Sequence, residues 1–232
     1  MIYVTSKKRN PEQIRKEFPN AFILDVSSTS SQYEGRILSP FYPHGNIIVP
    51  GAEPKGSIRA TCVEAIWQGL KVFEFEPEDM SLLNNDTGRN LKRSIRKHGR
   101  ILGHRWIKTG EILDYYQARL KIYLPAYWGM LKYVPAVQGS LKLIHDKSLE
   151  GDVVLLDYNV NSTFTDISRP IAHAGLIKMY IERDGVFPWD LYSSKPLTLE
   201  ESKILRKEEL KERLARIKEG ESKQSEQEDR LF

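Results

Sequence analysis

The chain has 232 residues, 40% hydrophobic and 28% charged, and a formal net charge of +4. That is an ordinary globular make-up with enough residues for a sizeable core, and no apolar run approaches the roughly 18–20 residues needed to span a bilayer. The single cysteine, Cys62, excludes an internal disulfide and a multi-cysteine metal centre.

The opening MIYVTSKKRNPEQ lacks the charged-then-apolar order of a signal peptide, so a cytoplasmic setting without membrane contact is expected. AFILDVSS (21–28) reads as a strand, followed by a polar loop. SPFYPHGNIIVPG (39–51) reads as loop, short strand and loop, punctuated by proline and glycine. VEAIWQGLKVFE (63–74) reads as one helix. From Thr87 to Gly110 the chain carries Arg89, Lys92, Arg93, Arg96, Lys97, Arg100, Arg105 and Lys108 with no acid, and a helix is expected from about Thr87 to Lys97, ended by Gly99. TGEILDYYQARLKIYL (109–124) suits an amphipathic helix, with a second helical piece after Pro125. GDVVLLDYN (151–159) reads as a strand buried on both faces, and SRPIAHAGLIKMYIERDG (168–185) as a helix. Thr198 and Glu201 fit a capping box that opens a charged helix bearing Leu199, Leu205, Leu210, Leu214 and Ile217. The last residues are too polar to pack, so from about 218 a frayed tail is expected. The fold class expected is α+β: one mostly helical domain with a few short strands over 1–190, then a charged C-terminal helix and tail over 191–232.

At about 100° per residue, Val63, Ile66, Trp67, Leu70 and Phe73 fall on one side of the 63–74 helix. Cys62, Ala65 and Gly69 form a second, small-residue side. Glu64, Gln68 and Lys71 share the narrow strip between them. A solvent-facing helix gives charges a broad face, so a strip flanked by two packing faces lines either a crevice or a modest stretch of surface. In a crevice, the carboxylate of Glu64 can activate water or stabilise a developing cation. The basic 89–108 segment is a footprint for phosphates, in a nucleic acid or in a small molecule. Phe41, Tyr42 and Trp106 offer faces for a flat ring. The five histidines show no ligand spacing, so no metal is expected.

GRILSPFYPHG, VEAIWQGLKVF, the GR…HRW segment, VVLLDYN and GLIKMYI, in that order, resemble the NADAR family, over about residues 35–182. The resemblance implies an α+β fold that cleaves N-glycosidic bonds of ribose; activities in the family include cleavage of phosphoribosylated riboflavin precursors and removal of ADP-ribose from guanine. Ser39, Phe41, Tyr42 and Pro43 match the family's aromatic loop, Glu64, Gln68 and Lys71 its catalytic helix, Arg100, Arg105 and Trp106 its Arg/Trp segment, and Asp157 its late acid. Ala65 stands where the family has His, and NSTFTDISRP replaces its Trp-Gly motif.

The resemblance implies Glu64 as the carboxylate that stabilises an oxocarbenium-like state or activates water. Gln68 would support it, with Asp157 as a second acid/base. Arg36, Ser39, Phe41, Tyr42, Trp67, Lys71, Arg100, Arg105 and Trp106 would hold a phosphorylated ribosyl substrate, with no cofactor. The competing readings are a nucleic-acid binder built on 89–108, and an assembly protein that works through its C-terminal helix.

Overall fold

The computed structural model describes residues 1–52 and 58–229. In chain order the elements are β1 (Ile2–Ser6), α1 (Pro11–Glu17), β2 (Phe22–Asp25), α2 (Tyr33–Arg36), β3 (Ile47–Ile48), β4 (Arg59–Ala60), α3 (Val63–Gly69) and β5 (Lys71–Phe73). They continue with α4 (Ile95–His98), β6 (Ile101–Arg105), β7 (Ile112–Leu113), α5 (Tyr115–Ala118), a π-turn (Arg119–Tyr123), α6 (Leu124–Tyr133), α7 (Pro135–Glu150), β8 (Val153–Asp157), α8 (His173–Glu182) and α9 (Leu199–Asp229). The architecture is α+β, as the sequence pattern predicts. Among the described residues no helix is long and apolar enough to cross a membrane.

β8 lies between β1 and β2 in a three-stranded parallel sheet, with Val4 and Leu24 both opposite Leu155. A central parallel strand is covered on both faces and therefore reads as a continuous apolar run. Val153, Val154 and Leu155 are accordingly sealed from solvent. On one face Ile14 of α1 and Phe18, just past its end, cover Val154. On the other, Val153 and Leu155 join the main core with Leu141, Ile144, Leu176 and Ile177 of α7 and α8. The carboxyl ends of these strands are the place where ligands settle in parallel sheets, and Asp157 is the last residue of β8.

Two helical expectations are corrected. The 63–74 segment is not one helix: α3 stops at Gly69, whose carbonyl accepts from Asp79 N (2.8 Å), and Lys71–Phe73 turn into β5, paired with β6. Val72 and Phe73 suit a pleated strand better than a helix end. The 87–97 segment forms only the single turn α4. By contrast, the chain does not break at Pro125. Helix runs from Tyr115 to Tyr133 through the π-turn, where Leu124 N bonds to Arg119 O. The wider i→i−5 spacing lets the helix accommodate a proline that lacks the N–H of an α-turn.

α9 runs to Asp229, past residue 218 where fraying is expected; the last three residues of the expected tail lie outside the described residues. Buried Glu17 explains why the helix stays down: Arg9 Nη1 lies 2.6 Å from its carboxylate and Arg216 Nε 3.4 Å. A Cβ on Gly220 would stand 2.1 Å from the Lys16 carbonyl, so only glycine permits this approach. α9 also braces the 161–171 segment, through Arg169 to Glu209 (3.1 Å) and Arg206 to Ser168 (3.1 Å). A truncation after residue 197 is therefore expected to lower stability by about 2 kcal/mol or more, since it removes several charge-assisted bonds. A cut after Ser222 should leave the melting temperature nearly unchanged. Thermal melts of the two truncations check this.

Candidate active site

α3 is capped by Cys62, whose buried Sγ accepts from Ala65 N (3.4 Å), a weak sulfur version of an N-cap bond. Glu64 N donates to the carbonyl of Pro40 (2.8 Å), which ties the Ser39–Tyr42 loop to the start of the helix. Glu64 and Gln68, one helical turn apart, then face a cavity of ≈ 370 Å³ at the carboxyl ends of β2 and β8.

Three buried side chains form a chain of hydrogen bonds. Lys71 Nζ (2.9 Å) and Arg93 N (3.4 Å) both donate to Gln68 Oε1, which fixes the amide so that Nε2 donates to Glu64 Oε1 (2.7 Å). The second oxygen, Glu64 Oε2, has no hydrogen-bond partner among the described residues and is not sealed from solvent. Burial raises the Glu64 carboxyl above the ordinary glutamate value, against the pull of Gln68, Lys71, Lys92 and His173. Burial likewise lowers Lys71, against the attraction of Glu64. Lys71 is thus a support behind Gln68; it does not line the cavity.

The aromatic wall is built on Trp67. Its ring lies 3.8 Å from that of His104 and meets the edges of Tyr123 (5.4 Å) and Tyr115 (6.0 Å). His104 is pushed down to about 3 by burial and by the Lys71 charge, so a neutral imidazole backs the indole. Phe41 lines the opposite side, with Lys92 Nζ 5.6 Å from its ring centre.

The remaining wall is ionic. His173 Nδ1 is 2.9 Å from Asp157 Oδ2, and its Nε2 is 2.8 Å from the Val26 carbonyl. A carbonyl only accepts, so Nε2 carries hydrogen; beside a carboxylate Nδ1 does too, and the ring is an imidazolium. For Asp157, burial works upward, but the His173 charge and bond and the Tyr158 and Ala174 N–H groups outweigh it and hold the carboxyl below its ordinary value. For His173, burial works downward, yet Asp157 outweighs it and the pKa is raised. Asp157 is therefore held as an ionised acceptor, which favours the base half of the acid/base role expected of it over the acid half. Gly175 in the first turn of α8 lets Ser162 close in, at 2.8 Å from where its Cβ would stand.

Arg119, 1% exposed, enters from the π-turn. Nη1 donates to the carbonyls of Phe164 and Asp166 (3.0 Å each), and Nη2 to Tyr115 Oη (3.0 Å) and the Arg169 carbonyl. None of these acceptors is a carboxylate. Its positive charge is left to act on the cavity, across a short path of low dielectric.

Of the residues expected at the site, Glu64, Gln68, Asp157, Ser39, Phe41 and Trp67 line this cavity together. The others do not. Arg36 is exposed and reaches the Ser30 carbonyl (3.4 Å), and Tyr42 packs against the core beside His44. Arg100 is on the surface of β6's start, and Arg105 is held by Glu78 (3.2 Å) and the Gly110 carbonyl. Trp106 lines a different groove. These arginines carry the right charge, but β6 turns them away from α3. Sequence reasoning missed His173, Arg119, Tyr115, Tyr123 and the position of Lys92 at the mouth. A lone histidine at a helix start, opposite an acid at a strand end, is the one signal that could have pointed to the Asp157–His173 pair.

Among the described residues no group of three His, Cys, Asp or Glu side chains could hold a metal ion. A search of the curated proteins finds no match. One family model does match, over residues 6–177, which run from the last residue of β1 to the middle of α8 and include Glu64, Arg119, Asp157 and His173. The chain belongs to that family, DUF6939, a family of unknown function.

Proposed function

We propose that the chain is a hydrolase of N-glycosyl bonds, acting on a phosphate-bearing ribosyl substrate, in keeping with the NADAR resemblance of its sequence. The observation that carries this reading is Glu64: a buried carboxylate with one oxygen anchored by Gln68 and the other free, beside a wall of Trp67, Tyr115 and Tyr123. A flat base stacks on that wall and brings the ribosyl C–N bond over Glu64. As the bond breaks, the sugar becomes cationic, and a carboxylate in a poorly solvated site stabilises that charge. The raised basicity of Glu64 suits it to take a proton from the attacking water, whose oxygen bonds to the anomeric carbon as the base leaves with the C–N electron pair. Asp157 accepts from a ribose hydroxyl. Lys92 at the mouth and the field of Arg119 replace Arg100 and Arg105 as the groups that meet phosphate.

The reading is tested by release of free base from a phosphoribosylated amine and from ADP-ribosylated guanine, and release from neither would overturn it. Given either activity, Lys92→Ala is expected to raise KM about tenfold, the value of a charge-assisted hydrogen bond, with kcat near wild type. Arg100→Ala and Arg105→Ala should leave both parameters alone. A dephosphorylated substrate that competes as well as the phosphorylated one would remove the phosphate from the proposal.

A nucleic-acid binder is the second reading. It is favoured by Arg89, Arg96, Lys97 and Arg100, which are exposed and have no ion-pair partner among the described residues. Binding to generic DNA or RNA would then fall steeply with salt and be indifferent to Glu64→Gln.

A further inference from the structure

A second cavity, of ≈ 810 Å³, lies between the β3–β4 hairpin, Trp106 and α6, and shares no lining residue with the first. Its walls are apolar, with Ile47, Trp106, Pro125 and Met130 among them. Two cations, Arg59 and Lys121, stand on its lining, and among the described residues no aspartate or glutamate does. Arg59 uses Nη1 on the Asn46 carbonyl (3.1 Å) and has no ion pair among the described residues. Lys121 Nζ has one long contact to Glu111 (3.9 Å) and sits 6.0 Å from the Trp106 ring centre. His44 is also on the lining, but its Nε2 is sealed from solvent and so turned away from the open groove. We infer that this groove binds a small amphipathic anion: an apolar body laid against Trp106 and Met130, with a single carboxylate or phosphate between Arg59 and Lys121. Cavities of this size and mixed lining are those that take small ligands, and the one-signed charge selects against neutral and cationic amphiphiles.

Gly129 gives a direct test. It lies inside α6 on the groove lining, and a Cβ added there meets no atom within 4 Å. Gly129→Leu therefore fills the groove without a clash at Cβ and replaces a poor helix residue by a good one. Calorimetric titration of the full chain would use decanoate, decanol and decylamine as probes. Saturable 1:1 binding of decanoate is expected, with decanol at least about tenfold weaker, as loss of a charge-assisted contact implies. Decylamine should not bind. Gly129→Leu should abolish decanoate binding while melting at or above the wild-type temperature. Arg59→Ala, an exposed position, should reduce decanoate to the level of decanol, so the inference stands or falls even if the leucine variant folds poorly. Glu64→Gln should bind decanoate like wild type, which separates this site from the proposed hydrolase site. Decanol binding as tightly as decanoate, no saturable binding by wild type, or decanoate binding that survives both substitutions would each overturn it.

Discussion

Glu64→Gln is expected to lower the turnover of a ribosyl substrate by about 10²-fold or more, the usual consequence of removing a group that stabilises charge in the transition state. It should do so without loosening the fold. Glutamine keeps an oxygen for the Gln68 Nε2 bond that now runs to Glu64 Oε1 at 2.7 Å. It also removes the cost of burying a charge. The folded value of Glu64 lies above the ordinary 4.5, so the folded chain holds this proton more tightly than the unfolded chain does. Stability is then withdrawn as pH rises past the unfolded value, and the loss is complete above the folded one. The variant cannot ionise here. Its melting temperature should equal or exceed that of wild type at neutral pH, and the gap should close as pH falls below about 4.5. The activity of wild type should fall on the acid side with an inflection above the ordinary glutamate value. Activity of Glu64→Gln within a few-fold of wild type, in a folded protein, would remove Glu64 from the chemistry.

How far the sequence exposed this site depended on range. Glu64 and Gln68 were legible because a polar pair at i and i+4 between two packing faces is a local pattern on a single helix. Lys71 was legible for the wrong reason. It leaves the helix at Gly69, yet the first residue of β5 still reaches Gln68 Oε1. The strand of VVLLD was legible because a central parallel strand shows its burial in its own composition. β1, with Tyr3, Thr5 and Ser6 among its five residues, gave no such signal, and it is a strand because β8 lies beside it. Arg100, Arg105 and Trp106 were misplaced because charge and aromaticity say nothing of direction. A bulge opposite Val72 and Phe73 shifts the register of β6, and pairing with β7 gives Arg105 to Glu78 and Trp106 to the second groove. Arg119 and His173 were missed because their partners are remote in the chain. The carbonyls that hold Arg119 lie 45 to 50 residues away, and the Val26 carbonyl lies 147 residues from His173.

Asp157→Asn is expected to have the largest effect on stability, because it strands a charge in the core. Asp157 is 3% exposed and His173 8%. The carboxylate accepts from His173 Nδ1 and Ala174 N on Oδ2 and from Tyr158 N on Oδ1. An asparagine turns one of those oxygens into a donor, so either the Tyr158 N–H or the His173 and Ala174 donors lose their acceptor. Breaking a buried pair by removing one partner costs about 3–5 kcal/mol, which urea denaturation would read as a lower midpoint. The pH dependence separates this from a packing defect. Asp157, held below 3.8, contributes stability that is present above 3.8 and lost as pH falls through its folded value. His173, held above 6.5, contributes stability that is full below 6.5 and lost as pH rises through its folded value. The gap between wild type and Asp157→Asn should therefore be widest between those two ordinary values and narrow on either side. His173→Gln should flatten the alkaline limb, and Asp157→Asn added to it should cost less than Asp157→Asn alone, because the stranded cation is gone. A loss below about 1 kcal/mol, or one that is equal at pH 5.5 and pH 9, would mean that the two side chains do not form an ion pair, and the cavity wall they make with Glu64 would then be neutral where the structure makes it ionic.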